Sequence, residues 1–282
     1  MTHWVVMSAL PSPVGLPYGY TMAVPAGGAS VEIVGLVKRF GAKVAVDGLS
    51  LAVPRGSFFG LVGPNGAGKT TTLRMLTGLL RPDAGTLNVE GVDVWPDPVG
   101  VKARLGVVPD GLLLFERLTG AEMLLYAGLL RGLDRLQASS RARELLGVLG
   151  LADDADQLIV DYSHGMKKKT ALGAALIHSP SVLVLDEPFE GIDPVSAVNM
   201  RTVLERYTAA GGTVLFSSHV MDLVERICDH VAVITAGRIA AAGPLDQVRG
   251  GRRLEETFIN IVGGEGVAAG ALDWLGASQD GR

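Results

Sequence analysis

Apolar and polar positions follow different periods along this chain, and the changes of period divide it. Residues 58–62 (Phe-Phe-Gly-Leu-Val), 181–185 and 213–218 are nearly continuous apolar runs. That is the pattern of strands buried on both faces of a parallel sheet. The first run leads into Leu73, Leu76 and Leu80 at helical spacing, and a helical segment over 194–209 separates the other two. Upstream, short β-rich runs at 31–37, 44–46 and 51–53, punctuated by Gly41 and Pro54, predict an antiparallel edge leading into the first buried strand. Between 111 and 163 strand signals vanish. There, 121–130 and 141–149, the latter with Leu145, Leu146 and Leu149 on one face, predict amphipathic helices. After 231–235, Gly237 and Gly243-Pro244 mark a short strand pair, and 254–262 is apolar enough to pack. The pattern predicts an α/β fold with a mostly parallel sheet, an antiparallel β edge and an inserted helical subdomain.

The expected organisation is a flexible N-terminal extension over 1–30, a main domain over 31–245 with its helical part at about 111–170, and a short C-terminal tail over 246–282. Residues 1–30 contain Pro11, Pro13, Pro17 and Pro25 and carry neither Lys nor Arg, which argues against a secretory signal. They read as a flexible extension or as the product of an upstream start codon.

Composition narrows the function classes. A formal charge of -4 over 282 residues, with no dense Lys/Arg tract, argues against extended nucleic-acid binding. The single cysteine, Cys228, has no partner for an intramolecular disulfide, reads as a small buried hydrophobe and fits a reducing compartment. No apolar run approaches the roughly 20 residues that span a bilayer. No repeat of 20 to 50 residues is visible.

The chemistry begins at Gly63-Pro64-Asn65-Gly66-Ala67-Gly68-Lys69-Thr70, followed by Thr71. This is a complete phosphate-binding loop between a strand and a helix. Its glycines let backbone N–H groups turn inward around a β-phosphate, Lys69 reaches the β- and γ-phosphates, and the Thr70 hydroxyl is suited to Mg²⁺. The implied ligand is a nucleoside triphosphate, and the implied core is a P-loop NTPase. Leu183-Val-Leu-Asp186-Glu187 has the Walker B form. A strand there delivers Asp186 to the metal and Glu187, as general base, to the attacking water.

The order of phosphate loop, helical insert, Tyr162-Ser-His-Gly-Met166, Walker B, Gly191-Ile-Asp193 and His219 resembles an ATP-binding-cassette (ABC) ATPase over about 31–244. That resemblance implies two cassettes sandwiching two ATP molecules, each bound by one subunit's phosphate loop and the other's signature loop. Ser163 and Gly165 then meet the γ-phosphate in trans, His219 is the switch histidine holding Glu187 and the water, Phe40 stacks on adenine, and Asp193 lies across the dimer interface. For Phe40, core packing is the competing reading. Signatures of the form Ser-x-Gly-Met-Lys are familiar in cassettes of drug, lipid and polysaccharide exporters whose permease is a separate chain, the type 2 exporters.

This sequence departs from the family pattern at His164 and Met166, and at Asp110 in Val107-Val-Pro-Asp110, where the family usually has Gln. An aspartate accepts but does not donate, is one methylene shorter and adds charge beside the metal, so slower hydrolysis is expected. Lys167, Lys168 and Lys169 read as a solvated helical face. The resemblance implies an ATP- and Mg²⁺-dependent ATP hydrolase, peripheral on the inner face of the cell membrane. Its expected partners are a transmembrane permease received near 110–118 and a second cassette. Two alternatives remain at this stage: a soluble cassette acting on ribosomes or DNA, and a nucleotide-gated subunit with weak hydrolysis.

Overall fold

The structure, a computed structural model, describes residues 28–263 and, upstream, the antiparallel pair β1 (Val5–Val6) and β2 (Ala23–Val24). The expectations for the extension over 1–30 and for the end of the tail fall mostly outside the described residues.

Two long strands, β3 (Ala29–Phe40) and β4 (Lys43–Pro54), form a hairpin. The strand β5 (Phe58–Val62) then carries the phosphate loop into helix α1 (Lys69–Leu76). β6 (Ala84–Val89) and β7 (Val92–Asp93) return to the hairpin, giving a four-stranded antiparallel sheet in the order β4-β3-β6-β7. Helix α2 (Pro98–Arg104) and strand β8 (Leu105–Val108) follow. Helices α3 (Gly120–Leu130), α4 (Arg135–Val148) and α5 (His164–Leu176) form the helical region. The chain continues as β9 (Val182–Leu185), α6 (Pro194–Ala209), β10 (Thr213–Ser218), α7 (Met221–Ile227), β11 (His230–Thr235) and β12 (Arg238–Pro244). It closes with α8 (Leu245–Arg249) and α9 (Leu254–Val262).

The second sheet has the order β12-β11-β5-β10-β9-β8 and is parallel except for β12. The antiparallel strands at the start of the chain therefore make a layer of their own, while β12 supplies the antiparallel edge of the parallel sheet. Strand alternation explains why β5, β9 and β10 are apolar without interruption. In β10, Val214 and Phe216 face a core shared with α3, α4, α5 and α6, whereas Leu215 faces a core shared with α1 and the antiparallel sheet. Both cores press on one sheet, so every side chain of these three strands is buried.

The helical region is set by caps. Thr119 and Glu122 form a reciprocal capping box at α3, at 3.1 and 2.9 Å. Asp134 caps α4 by accepting from the Gln137 N–H at 2.8 Å. α4 begins six residues before the apolar periodicity suggested, because its buried stripe starts with the small residues Ala138 and Ala142 and only then reaches Leu146.

The lysine run is the clearest correction. Lys167 is paired with Glu116 at 2.9 Å, but Lys168 and Lys169 are 5% and 6% exposed. α5 is wedged between α3, α4, α6 and β8, so almost its whole circumference is covered. These two amines end on backbone carbonyls instead of in water.

Candidate functional site

The phosphate loop sits at the end of β5, pressed between β4 and β11. A Cβ on Gly63 would lie 2.4 Å from the Ile234 carbonyl oxygen, and one on Gly68 would lie 2.6 Å from that of Ala45. Gly68 also has φ of 109°, so only glycine serves at these two positions. Lys69 opens α1 and is 7% exposed. Its Nζ donates to the Gly63 carbonyl at 2.7 Å and lies 3.7 Å from Glu187 Oε1.

β10 lies between β5 and β9 and runs parallel to both, so the chain segments leaving all three converge at one end of the sheet. Asp186, 6% exposed, accepts from Ser217 Oγ at 2.6 Å and from Thr70 Oγ1 at 3.3 Å, both at Oδ1. Glu187 has φ of 46°, a left-handed conformation that costs a non-glycine residue about 1–3 kcal/mol and persists where its surroundings hold it. Its N–H donates to Ser217 Oγ at 2.9 Å, and its Oε2 is 3.1 Å from His219 Nδ1.

These groups border a cavity of about 300 Å³ whose walls include Phe40, Lys43, residues 65–71, Asp110, Glu187, Glu190 and His219. Phe40 is 50% exposed, which removes the core-packing reading for it, and Lys38 Nζ lies 5.7 Å from its ring centroid. Asp110, just beyond β8, is exposed on the cavity wall.

Ser163, Gly165 and Asp193 are not on that wall. Ser163 caps α5 by accepting from the Met166 N–H at 3.2 Å, and Asp193 caps α6 through the Val195 and Ser196 N–H groups at 3.0 and 2.9 Å. Hydrogen bonds from the Ser196 N–H and hydroxyl hold the Asp193 carboxyl below the usual carboxylate range. The two caps meet: a Cβ on Gly165 would lie 3.1 Å from Asp193 Oδ2. His164 is exposed beside Gly191.

Sequence reasoning missed Ser217, Lys168 and Glu190. A hydroxyl closing a fully buried strand must find a partner, and that was the available signal for Ser217. A second concavity of about 290 Å³ follows 107–115 and is lined by Leu112, Leu114, Tyr126 and Ala174 among others. Phe115 meets Tyr126 edge to face at 5.4 Å, and Leu113 is 88% exposed at its rim.

The sequence profile of the family described as "ABC transporter" matches residues 46–190. The chain is 41% identical over 220 residues to the daunorubicin/doxorubicin resistance ATP-binding protein DrrA of Streptomyces peucetius, covering 78% of this chain and 67% of that protein. It is 39% identical over 206 residues to the linearmycin resistance ATP-binding protein LnrL of Bacillus subtilis (strain 168), covering 73% of this chain and 66% of that protein. The chain thus spans about two thirds of the length of these two relatives. A solved structure of the ATP binding subunit of an ABC transporter superposes with a TM-score of 0.77 at 29% identity, over 82% of this chain and 98% of that one. This chain belongs to the ABC transporter family and is an ATP-binding cassette ATPase.

Proposed function

We propose that this chain is the ATP-hydrolysing subunit of an exporter, acting as one of two cassettes that close on ATP beneath a separate membrane permease. The single observation that carries the catalytic reading is the contact of Glu187 with His219 at 3.1 Å, directly after Asp186 is fixed by Ser217 and Thr70. In this reading Glu187 takes a proton from water as the water oxygen bonds to the γ-phosphorus. The bond from that phosphorus to the β–γ bridging oxygen breaks, and ADP leaves with the bond's electron pair. His219 holds Glu187 and the water in place, and Lys69 balances charge on the β- and γ-phosphates.

Asp186 and Thr70 offer hard oxygen donors on a buried wall, a set suited to Mg²⁺. When bound there, Mg²⁺ supplies charge neutralisation on the phosphate oxygens. Phe40 offers a half-exposed ring to the base. Ser163, Gly165 and Asp193, which stand outside the cavity, serve the partner cassette's nucleotide across the dimer.

The transport reading is supported by what the relatives are: resistance ATP-binding proteins and, at 42% identity, a Nod factor export ATP-binding protein of Burkholderia lata. No helix among the described residues is long and apolar enough to cross a membrane. By likeness to these ATP-binding proteins we assign the pathway to another chain and this subunit to the inner membrane face. The apolar concavity beside Asp110 is the surface we assign to the permease. The unit that does this work is 31–245, with 111–170 as its helical part.

The test combines chemistry and partnership. Glu187→Gln is expected to keep ATP binding, lose nearly all phosphate release and run as an ATP-stabilised dimer on gel filtration. Tagged in its native cell, it is expected to retain a multi-span membrane protein in stoichiometric yield. Monomer alone with ATP, or recovery with ribosomal or DNA-bound proteins, would overturn the exporter reading.

A further inference from the structure

Lys168 is a buried cation with a specific destination. It lies on α5, five positions after Ser163, and its Nζ donates to the Glu187 carbonyl at 2.7 Å and to the Glu190 carbonyl at 2.6 Å. The Glu190 N–H also donates to the Glu187 carbonyl, at 3.3 Å, so the segment from Glu187 to Glu190 is a turn closed on the lysine. Glu187 is therefore held at both of its backbone polar groups. Its N–H is fixed from β10 by Ser217 and its carbonyl from α5 by Lys168.

This matters because the backbone of Glu187 is left-handed, with φ of 46°. Such a conformation relaxes unless it is over-determined, and relaxation would swing the carboxylate away from His219. Burial lowers the pKa of the Lys168 ammonium below the ordinary lysine value, and the nearby carboxylates of Glu190, Asp110 and Glu187 oppose that shift only in part. Asp110 and Glu190 both line the nucleotide cavity, whereas Lys168 stands behind that wall.

We propose that Lys168 is a positioning residue for hydrolysis, holding the Glu187–Glu190 turn so that the Glu187 carboxylate stays aimed into the cavity. The inference rests on the reading of Glu187 as the base and deepens it. It also ties the N-terminal half of α5 to the segment that follows β9. Gly165 packs against Asp193 and Lys168 grips residues 187 and 190, so the helix carries the whole segment from 187 to 193. In a closed dimer, contact of Ser163 with the partner's nucleotide is then mechanically linked to the carboxylate of its own subunit.

The experiment compares Lys168→Met, Lys168→Arg and Lys169→Met in the purified full chain, with Glu187→Gln alongside. Lys169 is an equally buried control whose Nζ reaches, among the described residues, only the Gly150 carbonyl, at 3.4 Å. Lys168→Met keeps chain length and apolar packing but removes the donors. It is expected to lower kcat by about tenfold or more while KM and the nucleotide Kd stay within about twofold. Lys168→Arg, whose fork can span two carbonyls, is expected to restore most of kcat, and Lys169→Met to leave it unchanged.

A kcat for Lys168→Met within about twofold of the parent overturns the proposal. So does a loss that Lys169→Met shares, or one that appears equally in Kd and melting temperature and is not rescued by arginine. If the methionine variant does not fold, Lys168→Gln is read by the same criteria. Parent-level hydrolysis by Glu187→Gln would sink the base reading itself, whereas an inactive Glu187→Gln beside an active Lys168→Met would sink the lysine inference alone.

Discussion

The Ser217 hydroxyl lies 2.6 Å from Asp186 Oδ1 and accepts the Glu187 N–H at 2.9 Å, so one side chain of β10 fixes both acids that follow β9. A hydrogen bond to a charged group is worth about 1.5–3 kcal/mol. Ser217→Ala is therefore expected to cut turnover about 10- to 100-fold and to raise the Mg²⁺ concentration needed for half-maximal rate. Phosphate release over a Mg²⁺ series checks both.

Asp110 places a carboxylate on the cavity wall that an amide would leave neutral. Asp110→Gln is expected to raise kcat by about 3- to 10-fold, because it removes charge beside the phosphates and restores an N–H donor. An unchanged rate and unchanged Mg²⁺ dependence would show that this position does not limit turnover.

Phe40 is 50% exposed, so its removal empties no core. Phe40→Ala is expected to weaken nucleotide binding by about 1–3 kcal/mol, the range for a lost base stack, with melting temperature nearly constant. Phe40→Tyr is expected to bind as the parent does. Titration with a fluorescent nucleotide reads both variants.

His178 gives a pH prediction remote from the cavity. Burial, with Arg131 next in weight, lowers its pKa from 6.5 to about 4, and its Nε2 donates to the Leu105 carbonyl at 3.0 Å. The folded state thus holds it neutral. Between pH 6.5 and 4 the unfolded chain takes up a proton that the folded chain refuses, so stability is full above 6.5 and falls as pH drops. His178→Gln is expected to flatten that part of the profile, measured as unfolding free energy in urea at stepped pH.

Where one side of an argument sufficed, the sequence was legible. The runs at 58–62 and 213–218 and the helix at 194–209 carry their boundaries in their own residues, and the structure places β5, β10 and α6 over the same spans. The phosphate loop and the Asp186-Glu187 pair are contiguous, so their adjacency in space was already present in the chain. Lys168 was not legible, because a lysine beside two others reads as solvated until α3, α4 and α6 are seen packed around α5. Ser217 was hidden for the opposite reason: its strand looked complete as an apolar element, and only the neighbouring strand shows what its hydroxyl meets. The separate antiparallel sheet depended on β6, whose pairing with β3 rests on contacts distant in the chain, with β7 added at the edge of β6.

β5 pairs with β10 on one side and β11 on the other and, among the described residues, with no strand nearer in the sequence. The chain is synthesised from its N-terminus, so the strand that bears the phosphate loop must wait, apolar and unpaired, until residues beyond 213 have emerged. Such non-local pairing makes folding slow and exposes the waiting segment to aggregation. A fragment ending before β10 would carry the whole loop sequence and hold no nucleotide. ATP is in this sense a ligand of the finished fold only, and at a hundredfold excess over its Kd it adds about 2.7 kcal/mol to the stability of the molecule that has completed the sheet.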